Sequence, residues 1–111
     1  LTEVSALAGC TALHTLDLSD CSRVADVSAL AGCAALHTLK LTRCEVTDVS
    51  VLAGCATLHT LDLSRTRVRD VSALAFCATL HTLKVSWCER LTDLSALADC
   101  ATLHTLDLSR C

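Results

Sequence analysis

The stretch CATLHTLDLSR occurs at residues 55–65 and again, unchanged, at residues 100–110. Leucine alternates with a polar residue in TLDLS, and this period of two predicts a short β-strand with one apolar face. At residues 15–19 the same pattern points Leu16 and Leu18 inward and Thr15, Asp17 and Ser19 outward. Each copy also has a cysteine four residues before a histidine, a spacing that must be weighed as a metal site.

The whole chain repeats at the interval of this stretch. Successive histidines are 23, 22, 22 and 23 residues apart: His14, His37, His59, His81 and His104. Repetition at about 20–29 residues is typical of a solenoid. We therefore interpret the 111 residues as one domain, with a half-repeat 1–10, full repeats 11–33, 34–55, 56–77 and 78–100, and a half-repeat 101–111. Since the sequence starts and stops within a repeat, we expect an excerpt of a longer array, or a module whose open ends another copy or domain covers.

The spacing of apolar residues within one repeat resembles that of a known family. In LHTLDLSRTRVRDVSALAFC, residues 58–77, the leucines and Val68 follow the arrangement L-x-x-L-x-L-x-x-(N/C/T)-x-L. Over its whole length the chain resembles the leucine-rich repeat family, most closely the short internalin-like class. It departs from that class where Cys or Thr stands in place of the common Asn, and where cysteine replaces the last leucine. The resemblance implies an α/β repeat solenoid: a curved stack with a parallel β-sheet on the concave face and short helical turns on the convex face.

The second half of each repeat, DVSALAGC at residues 26–33, predicts one of these turns. Asp and Ser can accept hydrogen bonds from free backbone amides at its start, while Gly9, Gly32 and Gly54 would allow a left-handed residue at its end. One strand per repeat, returning by a long connection, can pair only in parallel.

Composition excludes several classes of function. The net charge of −3 is too small to favour a nucleic-acid partner, and no apolar run approaches the ~18 residues of a membrane span. No signal peptide is visible, but the sequence begins without Met and within a repeat, so the localisation stays open. Equivalent residues are displaced along a ladder rather than gathered in a pocket, and no glycine-rich phosphate loop is present. We therefore expect no enzymatic activity and no cofactor.

The repeated Cys-x-x-x-His spacing does not predict a zinc site. Cys55 takes an inward leucine position whereas His59 should point outward, so the two side chains diverge. The nine cysteines instead form two rows, namely Cys10, Cys33, Cys55, Cys77 and Cys100 at the turn, and Cys21, Cys44, Cys88 and Cys111 where Thr66 interrupts the row. An odd total in a ladder argues against a disulfide framework, and no close C-x-x-C pair is present, so we expect buried thiols and no metal.

Two further rows run along the predicted sheet. The histidines are expected to be solvated residues of the repeat, with a divalent cation shared between neighbours, or pH sensing, as the alternative. Between the strand leucines the charge alternates, as Asp17, Lys40, Asp62, Lys84 and Asp107. Because a one-repeat slip would bring like charges together, we interpret this row as control of register rather than a ligand site.

The candidate site lies where the repeats differ, immediately after each strand and in the following loop. There an acidic chain concentrates arginines and its one tryptophan on one rim. The predicted partner-binding residues are Arg43, Arg65, Arg67, Arg69, Trp87, Arg90 and Arg110. Trp87 lies between Arg65 and Arg110 of neighbouring repeats, near enough for guanidinium stacking. Trp and Arg dominate protein–protein hot spots, so these three residues are the predicted interface anchor. The alternative is that these arginines merely cover the indole and keep the loops soluble.

The resemblance implies a non-catalytic module in which the concave face and this rim recognise a protein, peptide or glycan, and the basic rim favours an acidic partner. The alternative is a structural or self-assembling segment, including a designed consensus array, that associates through its ends. Head-to-tail stacking would place Asp107 beside Asp17, which disfavours a filament.

Overall fold

The structure, a computed structural model, describes residues 9, 11–95, 97, 100 and 102–109. Within this part of the chain, short strands alternate with five-residue 3₁₀ helices. The strands are β1 (Thr15–Asp17), β2 (Thr38–Lys40), β3 (Thr60–Asp62), β4 (Thr82–Lys84) and β5 (Thr105–Asp107), and the 3₁₀ helices are Ser28–Gly32, Ser50–Gly54 and Ser72–Phe76. None of the described helices has the length and apolar character needed to cross a membrane.

The five strands form one parallel sheet in sequence order, as predicted. Thr38 pairs with Thr60, Leu39 with Leu61 and Lys40 with Asp62, and the same register holds between the other neighbouring strands. The predicted alternation of Asp and Lys across the sheet is therefore confirmed in the backbone register.

The core is a stack of aliphatic side chains between the sheet and the 3₁₀ helices. The central strand leucines Leu39, Leu61 and Leu83 are fully buried, and the leucines of the 3₁₀ helices, such as Leu52, pack in the same cluster. Because each layer rests on its neighbours, burial is lower at the last described strand, where Leu106 is 41% exposed. This is the nearest-neighbour pattern expected of a solenoid.

The described cysteines are thiols, as expected, and all but Cys21 are buried. Cys10 and Cys111 lie outside the described residues. Burial, followed by the neighbouring thiols Cys55 and Cys100, raises the pKa of Cys77 to about 11. The cysteines of the turn row therefore act as small apolar residues that replace leucine in the core.

The aspartates of the DVS and DLS segments begin the turns as predicted. Asp48 Oδ1 accepts a hydrogen bond from the amide of Ser50 at 2.8 Å, and Asp70 does the same for Ser72. The prediction for the glycines was wrong, because none of the described glycines has a positive φ. The residue that follows each 3₁₀ helix is instead a cysteine with negative φ, and for Cys55 this angle is −92°.

Threonine hydroxyls add a second link between repeats. Thr79 Oγ1 lies 2.8 Å from the carbonyl oxygen of Leu58 and 3.1 Å from that of Ala56 in the preceding repeat. Thr57 and Thr102 make the equivalent pair of contacts. Earlier in the chain Ala35 occupies this position and has no hydroxyl to donate.

Candidate partner-binding site

Among the residues that the structure describes, those with a left-handed backbone lie immediately beyond the strands, on the predicted rim. Asp20, Arg43, Arg65 and Trp87, called the rim row below, have φ values of 66°, 66°, 62° and 62°. Each follows its strand by three residues. A positive φ is uncommon for residues other than glycine and is an outlier for a bulky one such as tryptophan.

The tight turn after each strand requires this conformation. The amide of Cys44 donates to the carbonyl of Leu41 at 3.0 Å, which closes a four-residue turn with Arg43 in its third position. The third position of a type II turn requires positive φ. The amide of Arg43 continues the inter-repeat ladder by donating to Ser64 at 3.1 Å. The rim-row side chains therefore project from a backbone that is fixed on both sides.

The second cysteine row secures the same turns from inside. Cys44 Sγ donates to the carbonyl of Leu18 at 3.1 Å, and Cys88 Sγ donates to that of Leu63 at 3.0 Å. These thiols occupy the position where leucine-rich repeats commonly have Asn. Burial, then the neighbouring Cys21, raises the pKa of Cys44 to about 11. The cysteine therefore remains a neutral donor that supports the rim.

All rim-row side chains except Asp20 border an open groove with a cavity volume of about 420 Å³. Of the predicted site residues, the groove brings together Arg43, Arg65, Arg67, Trp87 and Arg90. Arg69 is exposed but does not line the groove, and Arg110 lies outside the described residues. Thr66 and Glu89 also line it and were not predicted. Their signal in the sequence was weak: Thr66 is the exception in a cysteine row, and Glu89 is an acidic residue among arginines.

Trp87 and Arg65 contact each other in the lining of this groove. The Arg65 guanidinium carbon lies 5.1 Å from the centroid of the Trp87 ring, within the range of a cation–π interaction. Trp87 is nevertheless 41% exposed. The predicted Arg65–Trp87 contact is confirmed, and a substantial part of the indole stays accessible.

Most arginines of the groove form no ion pair with a carboxylate of the described residues. In the part of the chain that the structure describes, the one ion pair within 4 Å joins Arg43 Nη1 to Asp20 Oδ1 at 3.3 Å. Arg67 and Arg90 make no such pair with a described residue. The groove therefore presents positive charge on a chain whose net charge is −3.

The histidines form a second rim, at the opposite ends of the strands. Neighbouring rings stack with centroids 4.6–4.7 Å apart and interplanar angles of 7–11°. The Nδ1 atom of His59 is 3.0 Å from the hydroxyl of Thr60, and His37 and His81 pair with their own following threonines at the same distance. The predicted histidine ladder is therefore present, with its rings nearly parallel.

This stacking does not suit a cation shared by neighbouring rings. The lone pair of an imidazole nitrogen lies in the plane of its ring, so two nearly parallel rings stacked face to face cannot both direct a lone pair at one ion between them. The described residues also contain no group of three or more metal-ligating side chains arranged to hold an ion. Desolvation, then the neighbours His59 and His104, lowers the pKa of His81 below its ordinary 6.5. The ring geometry therefore does not favour a metal shared by neighbouring histidines, and the pH-sensing alternative stays a prediction.

The sheet, the 3₁₀ turns and the cysteine-supported rim together define a leucine-rich-repeat solenoid. The family model described as Leucine Rich repeat matches residues 54–77 and 76–98. With the register of the repeats and the structural likenesses given next, these matches show that the chain is similar to leucine-rich repeat proteins and has their fold.

Solved structures of this family superpose on the chain over nearly its whole length. Internalin C2 from Listeria monocytogenes is 30% identical with a TM-score of 0.80, and the match covers 98% of this chain and 57% of that one. The leucine-rich-repeat ectodomain of the plant membrane receptor kinase GASSHO1/SCHENGEN3 from Arabidopsis thaliana is 18% identical with a TM-score of 0.73, over 95% of this chain and 13% of that one. Comparison with curated proteins gave no match.

Proposed function

We propose that the chain is a non-catalytic binding module whose basic rim recognises an acidic protein or peptide. The groove around Trp87 forms the centre of the contact, and the neighbouring sheet face flanks it. The binding residues are Arg43, Arg65, Arg67, Arg69, Trp87, Arg90 and Arg110.

The observation that carries this proposal is that arginines without a carboxylate partner among the described residues lie beside a half-exposed tryptophan. Guanidinium groups match carboxylates with two parallel hydrogen bonds. Arg67 and Arg90 line the groove without a carboxylate partner among the described residues. An acidic partner would supply the missing carboxylates, and its apolar groups would cover the accessible part of the indole.

The backbone of the rim row gives independent support. A left-handed residue favours Gly or Asn, yet the chain has Arg43, Arg65 and Trp87 in that conformation. Uncommon conformations of this kind cluster at binding sites, where the side chain matters more than backbone preference.

The structural neighbours are consistent with a binding role. The receptor-kinase ectodomain was solved in complex with CASPARIAN STRIP INTEGRITY FACTOR 2. A module that acts by binding alone also suits the layout of this chain, since its histidines, aspartates and hydroxyls lie in rows along the solenoid instead of converging.

The test is binding of a fluorescein-labelled deca-glutamate peptide, measured by fluorescence anisotropy at low and moderate salt, with deca-lysine as the negative probe. Trp87→Ala and Arg65→Glu should each weaken binding at least about five- to ten-fold, as expected for hot-spot residues. Arg23→Glu is the matched control, because Arg23 is exposed and does not line the groove. Equal effects of Arg65→Glu and Arg23→Glu would refute the assignment of the site.

Self-association is the second candidate function. It is favoured by the exposed Leu106 at the outer edge of β5. It is opposed by the charge that β5 presents, since Asp107 would meet Asp17 of a following copy. A mass that rises with concentration in light scattering, unchanged by Trp87→Ala, would support assembly through the ends over recognition at the rim.

A further inference from the structure

The one ion pair of the described rim occupies the arginine at the end of the groove. Asp20 and Arg43 hold equivalent positions in adjacent repeats, both with φ of 66°. Asp20 Oδ1 and Arg43 Nη1 are 3.3 Å apart, and the two side chains remain 67% and 56% exposed. The carboxylate of Asp20 therefore contacts Arg43 on the surface to which a partner would bind.

The Asp20–Arg43 contact lies at one end of the rim row, so the two ends of the row differ in charge. The row reads Asp20, Arg43, Arg65 and Trp87, one side chain per repeat. Arg43 and Arg65 both line the groove, but Arg65 lies over the ring of Trp87 whereas Arg43 has an acidic neighbour. Two chemically identical residues thus differ in how available they are to an external carboxylate.

We propose that Asp20 is a specificity-determining residue that competes with the partner's carboxylate for Arg43 and sets the end of the acidic contact. This inference rests on the proposed function. An acidic segment bound at Arg65 and Arg43 meets the repulsive carboxylate of Asp20 if it extends one repeat further. The preferred partner has acidic groups opposite Arg43 and Arg65 and a neutral or basic group opposite Asp20.

The substitution Asp20→Asn isolates this role. Asparagine tolerates a positive φ as well as aspartate does, so the turn should be unaffected. It removes the charge that holds Arg43 and repels the partner. Asp26→Asn is the matched control: it makes the same change in net charge, and the amide oxygen can still accept the hydrogen bond from Ser28 that Asp26 Oδ1 now accepts at 2.9 Å.

The experiment measures anisotropy with the deca-glutamate probe on the full chain at ~50 mM salt, where exposed charges are only partly screened. Asp20→Asn should tighten binding about two- to five-fold, the size expected of one exposed ion pair. Asp26→Asn should change it by less than about 1.5-fold. In an Arg43→Gln background, Asp20→Asn should lose most of its effect, because the competition requires the guanidinium.

A second probe tests whether Asp20 sets the end of the acidic contact. A peptide with a lysine block at one end of its glutamate run should bind the wild-type chain more tightly than an all-glutamate peptide with the same number of glutamates. Asp20→Asn should remove that preference.

The outcomes separate this inference from the proposed function. If the wild-type chain fails to bind deca-glutamate, both fail. If it binds but Asp20→Asn tightens binding no more than Asp26→Asn, or keeps its full effect without Arg43, the role of Asp20 is refuted while recognition of an acidic partner stands.

Discussion

Replacing Arg43 by asparagine should give a more stable protein than replacing it by valine. Its φ of 66° places the residue in the left-handed region. That conformation costs an ordinary L-residue about 1–2 kcal/mol. Asparagine adopts it several-fold more readily than average, whereas β-branched residues are outliers there. We therefore expect Arg43→Asn to exceed Arg43→Val by about 1–2 kcal/mol in the free energy of unfolding.

This comparison is cleaner than either variant against the wild type. Both substitutions remove the same ion pair to Asp20, whose contribution cancels in the difference. For a domain of about 100 residues, 1 kcal/mol shifts Tm by about 4–8 °C, so the two variants should differ by roughly 5 °C or more. Thermal denaturation followed by circular dichroism would measure this.

The adjacent Thr42 is the control position. It is half-buried and not among the residues with positive φ. Near a strand end with ordinary φ, valine should be tolerated better than asparagine, so the order should invert. If Arg43→Val proved as stable as Arg43→Asn, the assignment of a left-handed rim row would be wrong.

Three further predictions concern the scaffold. Thr79→Val should lower the free energy of unfolding, measured in urea, by about 1–2 kcal/mol, because the carbonyls of the preceding repeat lose a hydroxyl donor. Ala35→Thr adds such a donor and should raise the free energy of unfolding by up to about 1 kcal/mol. If neither variant changed the stability, the hydroxyl contacts would contribute nothing to it. The pKa of His81 is lowered in the folded protein, so its contribution to stability is present above the ordinary pKa of 6.5 and is lost as the pH falls through the folded-state pKa. The Tm should therefore fall between pH 7.5 and 5. In the variant His81→Gln the Tm should fall less steeply over the same range. Cys77, with its pKa raised to about 11, should resist iodoacetamide at pH 8 far longer than the half-buried Cys21; equal rates by mass spectrometry would contradict its burial.

The scaffold could be predicted from the sequence because its rules are periodic. Alternating leucines fix which face of each strand is buried, and the spacing of 22 or 23 residues between histidines fixes which residues pair across strands. Leu61 is therefore buried and His59 stacks on its neighbours, as expected. The placement of the cysteines followed from the same argument, since each row repeats with the leucines.

The position of the rim in the sequence could be predicted, but the backbone angles and contacts of its residues could not. Variation against a constant background located the arginines and Trp87. The sign of φ could not be inferred, because the residue types at those positions do not favour the left-handed region, and the glycines that do favour it have ordinary angles. The ion pair of Asp20 with Arg43 depends on that same backbone geometry. The place of Glu89 in the groove depends on how loops from different repeats come together.

Stability and binding should follow different orders at the rim row if its side chains are there for recognition. At residue 43 the left-handed backbone favours asparagine over lysine, and lysine over valine. An acidic partner favours lysine over both asparagine and valine, because only lysine retains the positive charge. Arg43→Lys should therefore keep most of the affinity for deca-glutamate while being less stable than Arg43→Asn, and Arg43→Asn and Arg43→Val should bind equally weakly despite their different Tm values. Measuring the Tm and the affinity for deca-glutamate on the same three variants tests the role of the rim row. If the affinity followed the Tm, weakened binding would only report a loss of folded protein. The rim row would then have no demonstrated role in recognition.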